Sequence, residues 1–254
     1  MIVNVKNTPQ SSLPAGRQAL EKDVVDMKIK ITKKLIRQIE AEAKKYFQKA
    51  SGCHDWTHVE RVRDLAMQIG RKEKADLGIL ELAALLHDIH KPEEMRSKGK
   101  FCHAGRGAKT ARIILKKHGA EESVINSIAH CIVSHRTRNN NVPETIEAKV
   151  LRDADKLDGI GAIGVARDFQ FAGYIAARLS EVKLLYTGRE MELARRGKRV
   201  DYTKDDSALL EYELNMKKVK DNLLTKEGRR IGKERHKFME KFFERFWEEV
   251  AAEK

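Results

Sequence analysis

Side chains that can bind a metal interrupt the apolar faces of this 254-residue chain at four places. They are His58, the pair His87-Asp88, His135, and the three aspartates Asp153, Asp155 and Asp158. A carboxylate is costly to bury unless it is paired or binds a cation, and neighbouring carboxylates repel each other unless a cation compensates. Mixed imidazole and carboxylate ligands suit Mn, Fe, Co, Ni or Zn, and suit Mg less well.

Spacing alone leaves two interpretations of these residues open. His58 lies four residues before Val62, and His135 lies three residues after Ile132, so both share the inward stripe of an amphipathic helix. A single histidine in such a place is usually a hydrogen-bonded core residue, and a His-Asp pair is often a local ion pair. Here, however, such residues recur on successive helices, and helical bundles build metal sites from the inward side chains of facing helices.

The elements that must position these residues are helices throughout, so the sequence predicts an all-α fold. We expect helices over residues 32–49, from 57, over 79–89, around 105–117 and 121–135, from 144, and near 207–222 and 230–250. Thr57 and Glu60 form a capping-box pattern at the start of the second helix. Near the C-terminus, Phe238, Phe242, Phe243 and Phe246 are spaced like a core or interface stripe.

Composition divides the chain into a short leader and one domain. Residues 1–26 include Pro9, Pro14 and Gly16, have no sustained apolar period, and are predicted to be a flexible leader. Residues 27–254 are predicted to form a single helical domain, with a metal-site core over 54–167 and additional C-terminal helices over 180–254.

The charge balance favours an anionic partner. The chain has 51 Lys+Arg against 38 Asp+Glu, a net charge of +13, and a pI near 9.6. Basic and acidic residues are mixed along the chain, so a small phosphorylated substrate explains the excess charge as well, and a nucleic acid is possible but not favoured. Assembly into a homo-oligomer is left open.

Composition also indicates the compartment. No apolar run is long enough to cross a bilayer, and the N-terminus lacks the apolar core of a secretory signal, so we expect no membrane partner. Three cysteines without C-x-x-C spacing fit a reducing environment, and we expect the protein to be cytoplasmic.

The metal-capable residues together resemble a known family. The pattern H-x28-H-D-x66-D, formed by His58, His87-Asp88 and Asp155, is similar to the signature of the HD-domain metal-dependent phosphohydrolase superfamily. The local strings HDWTHVERV (54–62), AALLHDIHK (83–91), EAKVLRDADKLDGIGAIGVAR (147–167) and TKEGRRIGKERHKFMEKF (225–242) resemble a branch of small bacterial and archaeal HD hydrolases. Some members of that branch are nucleotide pyrophosphohydrolases.

This resemblance implies an HD-type helical bundle that cleaves a phosphoanhydride or phosphoester bond, expected to be that of a nucleotide, by metal-activated water. It makes His58, His87, Asp88 and Asp155 the ligands of one divalent cation, for which we favour Mn. Asp153 and Asp158 then either support the ligands or pack the helices. We expect Asp88 to hold or deprotonate the attacking water, and Lys91 and Arg61 to neutralise charge that develops on the phosphate.

Two further histidines keep alternatives open. His103 and His135 depart from the nucleotide-hydrolase branch and resemble residues of HD subfamilies with two metals, so they are candidates for a second metal or for substrate contact. One alternative function is therefore a binuclear phosphodiesterase that acts on cyclic or dinucleotide substrates. The other is a non-catalytic sensor of a nucleotide or nucleic acid on an HD scaffold.

Overall fold

The computed structural model describes residues 31–48, 50, 53–136, 141–177, 185–197, 203 and 205–252. These residues form α-helices and short 3-10 turns, with no strand among them, which confirms the predicted all-α fold. The predicted leader, residues 1–26, lies outside the described residues. Within them, no helix combines the length and the apolar character needed to cross a membrane.

The predicted helices are present with shifted ends, and Lys91–Arg96 and Gly161–Ala176 are helices that were not predicted. The predicted helix near 207–222 is an α-helix only to Leu214. The helices are α1 Lys33–Lys44, α2 Trp56–Glu73, α3 Leu77–Leu86, α4 Lys91–Arg96, α5 His103–Lys117, α6 Glu122–Ser134, α7 Ile146–Asp158, α8 Gly161–Ala176, α9 Glu190–Arg196, α10 Ala208–Leu214 and α11 Lys226–Ala252. Two 3-10 segments, Lys45–Phe47 and Met216–Asn222, follow α1 and α10.

Helix α3 is the centre of the bundle. Its sequence LGILELAALL is apolar on nearly every side, and the side chains from Leu82 to Leu86 are all buried. It packs against α1, α2, α6 and α7, as a helix without a polar face must. Because α3 ends at Leu86, the next two residues, His87 and Asp88, are placed inside the bundle rather than at its surface.

The start of α2 is capped differently from the prediction. The Asp55 side chain accepts hydrogen bonds from the backbone N–H groups of Thr57 and His58, so Asp55 is the N-cap. The predicted capping box of Thr57 and Glu60 was wrong, because the helix begins one residue before Thr57, at Trp56. The cap fixes the first turn of α2, which carries His58.

The aspartates of α7 divide between two sides of the helix. Residues two apart in a helix point in nearly opposite directions, whereas residues three apart share a face. Asp155 and Asp158 accordingly lie near His58 on α2. Asp153 faces the other way and accepts hydrogen bonds from the backbone N–H groups of Leu224 and Thr225 and from Thr225 Oγ1, at the start of α11.

The C-terminal phenylalanines do not form one buried stripe. Phe243 is buried and stacks on Tyr212 of α10, with ring centroids 4.0 Å apart. Phe242 and Phe246 contact Phe169 of α8. Phe238 lies one turn before Phe242 on α11 but is 47% exposed, so a core position is wrong for it and an interface role stays a prediction.

Asp153 gives a test of this packing. We expect Asp153→Ala to lower the free energy of unfolding by about 3 kcal/mol, because it leaves buried backbone donors of α11 without acceptors. Chemical denaturation followed by circular dichroism measures the loss. The loss should be the same with and without added Mn²⁺, and a loss seen only with the metal would contradict a purely structural role.

Candidate metal centre

Helix ends from five elements meet at one buried point of the bundle. His58 lies in the first turn of α2 and His103 is the first residue of α5. His87 and Asp88 follow the last residue of α3, His135 follows α6, and Asp155 lies in the last turn of α7. The sequence separates these residues by almost a hundred positions, and the fold brings all of them together.

The first group consists of His58, His87 and Asp88, whose candidate ligand atoms lie close enough together to hold one metal ion. The Nε2 atoms of the two histidines are 3.4 Å apart. Asp88 Oδ2 lies 3.6 Å from Nε2 of His58, and Asp155 Oδ1 lies at the same distance from that atom. The Asp155 side chain is 15% exposed and His87 is fully buried, so this group opens to solvent at Asp155.

The second group uses the other oxygen of the same aspartate. Asp88, His103 and His135 also bring their candidate ligand atoms within reach of one metal ion. Asp88 Oδ1 lies 3.0 Å from His103 Nε2 and 3.6 Å from His135 Nε2, and these two nitrogens are 3.2 Å apart. The rings of His87 and His135 are neighbours, with centroids 5.3 Å apart. Asp88 therefore lies between two adjacent histidine pairs.

The hydrogen bonds of the imidazoles fit metal binding. Each Nδ1 atom faces an acceptor: Ala84 O for His87, Ile132 O for His135, Asp158 for His58 and Glu94 for His103. In the neutral rings we therefore assign the proton to Nδ1 and the lone pair to Nε2, although Arg136 Nη1 also lies 3.1 Å from His103 Nδ1. The Nε2 atoms of each pair are 3.2 to 3.4 Å apart, so one cation can bind both lone pairs when the rings are neutral.

Electrostatics agree with this assignment. Burial lowers the pKa of His87 to about 4, so this ring is neutral at pH 7. Burial opposes ionisation of Asp88, but the imidazoles of His87 and His103 outweigh it and hold the pKa of the carboxyl well below its usual value. Nearby carboxylates outweigh burial and raise the pKa of His58 and that of His103. A cation that binds their Nε2 atoms therefore competes with a proton.

Two buried carboxylates surround the histidines. Asp158 accepts a hydrogen bond from His58 Nδ1 at 2.8 Å, and it also binds Arg61 and Arg167, each at 2.7 Å. Glu94 accepts from His103 Nδ1 at 2.7 Å and from Lys91 Nζ at 3.0 Å, and its other oxygen pairs with Arg136. These two carboxylates thus connect four positively charged side chains to the histidines of the centre.

The structure brings the candidate ligands His58, His87, Asp88, Asp155, His103 and His135 together, whereas Asp153 lies on the other side of α7. Lys91 and Arg61, expected to meet the substrate, lie at the edge of the centre and are bound to Glu94 and Asp158. Sequence reasoning missed Glu94, Arg136 and Arg167. Glu94 lies on the short helix α4, where no apolar period marks its buried side. The spacing of Lys91 and Glu94, three residues apart, was the available signal.

Comparisons with known proteins agree with this geometry. A model of the HD domain family matches residues 55–160, which include all residues of both groups. The uncharacterized protein YpgQ of Bacillus subtilis (strain 168) is 34% identical over 197 residues, which cover 74% of this chain and 80% of YpgQ.

Solved structures resemble most of the chain. The crystal structure of Bacillus subtilis YpgQ in complex with ADP is similar with a TM-score of 0.64 and 29% identity, covering 85% of this chain and 97% of that one. A predicted HD superfamily hydrolase from an uncultured Thermotogales bacterium is similar with a TM-score of 0.57 and 27% identity, covering 84% and 92%.

Asp88 tests whether the two groups depend on one carboxylate. We expect Asp88→Ala to lose all tightly bound Mn²⁺, because both histidine pairs lose their shared oxygen ligand together. Metal analysis of the dialysed protein measures the loss, and circular dichroism should show unchanged helicity. Asp64→Ala, which removes an exposed aspartate of α2, is the matched control. Full metal loading in a folded Asp88→Ala protein would show that the centre was wrongly assigned.

Proposed function

The chain belongs to the HD domain superfamily of hydrolases, and on this premise we propose that it is a metal-dependent phosphohydrolase acting on a nucleotide. The bond cleaved is a phosphoanhydride or a phosphoester. The observation that carries the proposal is the position of Asp88, whose two oxygens face two histidine pairs with converging lone pairs. A purely structural carboxylate has no need of four imidazoles.

The proposed ligands follow from this position. His58, His87, Asp88 and Asp155 would hold one divalent cation, and Asp88, His103 and His135 would hold a second. We favour Mn²⁺ because it accepts imidazole and carboxylate ligands together. A bound divalent cation would polarise a phosphoryl oxygen and lower the pKa of water, which supplies the nucleophile for hydrolysis at neutral pH.

The chain's own residues would bind and orient the reactants. Asp88, ionised by its surroundings, is suited to orient the attacking water and is a poor acceptor for its proton. Lys91 and Arg61 are 16% and 32% exposed in their side chains. Both are attached to the centre and remain partly accessible, so each can contact a phosphate that enters beside Asp155.

A nucleotide is supported as the substrate by the solved complex of YpgQ with ADP. Charge supports the same class, because four cations (Lys91, Arg61, Arg136 and Arg167) surround the proposed ligands. A nucleic acid is less favoured, since many of the exposed basic residues pair with acidic neighbours on their own helix.

A second candidate function rests on the second group. Two cations would stabilise both the attacking and the leaving oxygen, so a binuclear phosphodiesterase acting on a cyclic or dinucleotide substrate would use the same centre. A nucleotide sensor without turnover is the alternative that the Asp88 geometry favours least.

Product analysis separates these functions. We expect a deoxynucleoside triphosphate incubated with the Mn²⁺-loaded protein to release pyrophosphate or phosphate, and Asp88→Ala to release neither. Cleavage of a cyclic dinucleotide without cleavage of the triphosphate would favour the phosphodiesterase. Tight binding of the triphosphate with no product from any of these substrates would favour the sensor and contradict the proposal.

His135 tests the second cation. We expect His135→Ala to lower the Mn²⁺ content from two ions per chain to one and to slow the chemical step by orders of magnitude, because one histidine pair is broken. His130→Ala is the matched control, since His130 also lies on α6 but its ring accepts a hydrogen bond from the backbone N–H of Glu144 instead of facing Asp88. A single Mn²⁺ in the unchanged protein would leave His103 and His135 as substrate contacts.

A further inference from the structure

We propose that Asp158 and Glu94 are positioning residues, each of which sets the cation affinity of one half of the centre through one histidine. The proposal rests on the function proposed above. Asp158 acts through His58 on the half that contains His87, and Glu94 acts through His103 on the half that contains His135. Neither carboxylate contacts the candidate ligand oxygens of Asp88 directly in the described interactions.

Asp158 is held so that it has one orientation. Its Oδ1 accepts from Arg61 Nε at 2.7 Å, and its Oδ2 accepts from Arg61 Nη2 at 3.0 Å and from Arg167 Nη1 at 2.7 Å. Arg167 is itself held by the carbonyl oxygens of Cys53 and Asp158. The remaining contact of Oδ2 is His58 Nδ1. With the carboxylate fixed by two guanidinium groups, the His58 ring keeps Nε2 directed towards Asp88.

Glu94 repeats this arrangement with different residues. It is only 3% exposed, and its Oε2 accepts from both His103 Nδ1 and Lys91 Nζ. Its Oε1 binds Arg136, which directly follows His135 in the chain. Glu94, on the separate short helix α4, therefore connects His103 of the second group to the positively charged side chains of Lys91 and Arg136.

The arrangement is the same in both halves. Each half has one histidine whose Nδ1 donates to a backbone carbonyl, His87 to Ala84 and His135 to Ile132. The other histidine of each half donates to a carboxylate that two cations hold in place. A carboxylate acceptor makes the ring a stronger donor to a metal, and removing such a partner costs about 10–100-fold in metal affinity. We therefore expect the carboxylate-bound histidine to dominate the affinity of each half.

Matched variants make the proposal testable. Asp158→Asn and Glu94→Gln keep the size of each side chain and remove its charge. Asp153→Asn is the control for Asp158, because Asp153 is also a buried aspartate of α7 but binds the start of α11 and its neighbour Arg152 instead of a candidate ligand. Glu93→Gln is the control for Glu94, since Glu93 lies beside it and contacts His90 and Arg106 instead.

The readout is Mn²⁺ affinity of the folded protein, measured from the free Mn²⁺ signal in electron paramagnetic resonance. His87→Ala and His135→Ala identify which site is lost from each half. We expect Asp158→Asn to weaken the site that His87→Ala removes by about 10–100-fold, and Glu94→Gln to weaken the site that His135→Ala removes by a similar factor. Both controls should retain the affinity of the unchanged protein.

The outcomes separate this proposal from the proposed function. Unchanged affinity in Asp158→Asn, or equal losses in Asp153→Asn, would overturn the role of Asp158 even if His87→Ala abolishes binding. The same comparison with Glu93→Gln decides the role of Glu94. If His135→Ala binds as much Mn²⁺ as the unchanged protein, the second cation is wrong and so is the role of Glu94. The role of Asp158 is then still tested by the Mn²⁺ affinity of the site that His87→Ala removes.

Discussion

The burial of Asp88 is the constraint on which the rest of the centre depends. An ionised carboxylate inside a helical bundle is costly unless charges or hydrogen-bond partners compensate it. The apolar helix α3 delivers this residue to the interior together with its neighbour His87. The other histidines come from the ends of α2, α5 and α6 and lie on both sides of the carboxylate.

The surrounding charges extend this compensation outward. Asp158 and Glu94 are buried carboxylates too, and each is matched by two cations rather than one. The basic side chains contact Asp158 and Glu94, whereas the histidines lie next to Asp88 itself. Addition of divalent cations at the centre would leave the region positively charged, which favours the approach of a phosphate-bearing substrate. The candidate metal ligands and the basic side chains proposed to bind the substrate are therefore parts of one electrostatic arrangement.

Periodicity predicted the part of the site that is built on long helices. His58 and His135 share the inward stripes of α2 and α6, and both are buried as that pattern requires. The same reasoning could not separate the functions of Asp153 and Asp158, because their partners, α11 and His58, are distant in sequence. Glu94 escaped detection because α4 has only six residues and presents no period. Spacing along α11 also did not predict that Phe238 is exposed. It does not tell which part of an apolar stripe the neighbouring helices cover.

The same limits apply to the chemistry. The sequence offered His103 as a candidate for a second metal or for substrate contact, and the tautomer of its ring bears on that choice. With Nδ1 hydrogen-bonded to Glu94, the neutral ring presents a lone pair at Nε2 towards Asp88 and His135, whereas the protonated ring presents an N–H group there. Asp88 and Glu94 outweigh burial and raise the pKa of His103, so a metal ion has to displace a proton from Nε2. The proposed metal role of His103 therefore requires the neutral ring, whose remaining proton stays on Nδ1 and is donated to Glu94.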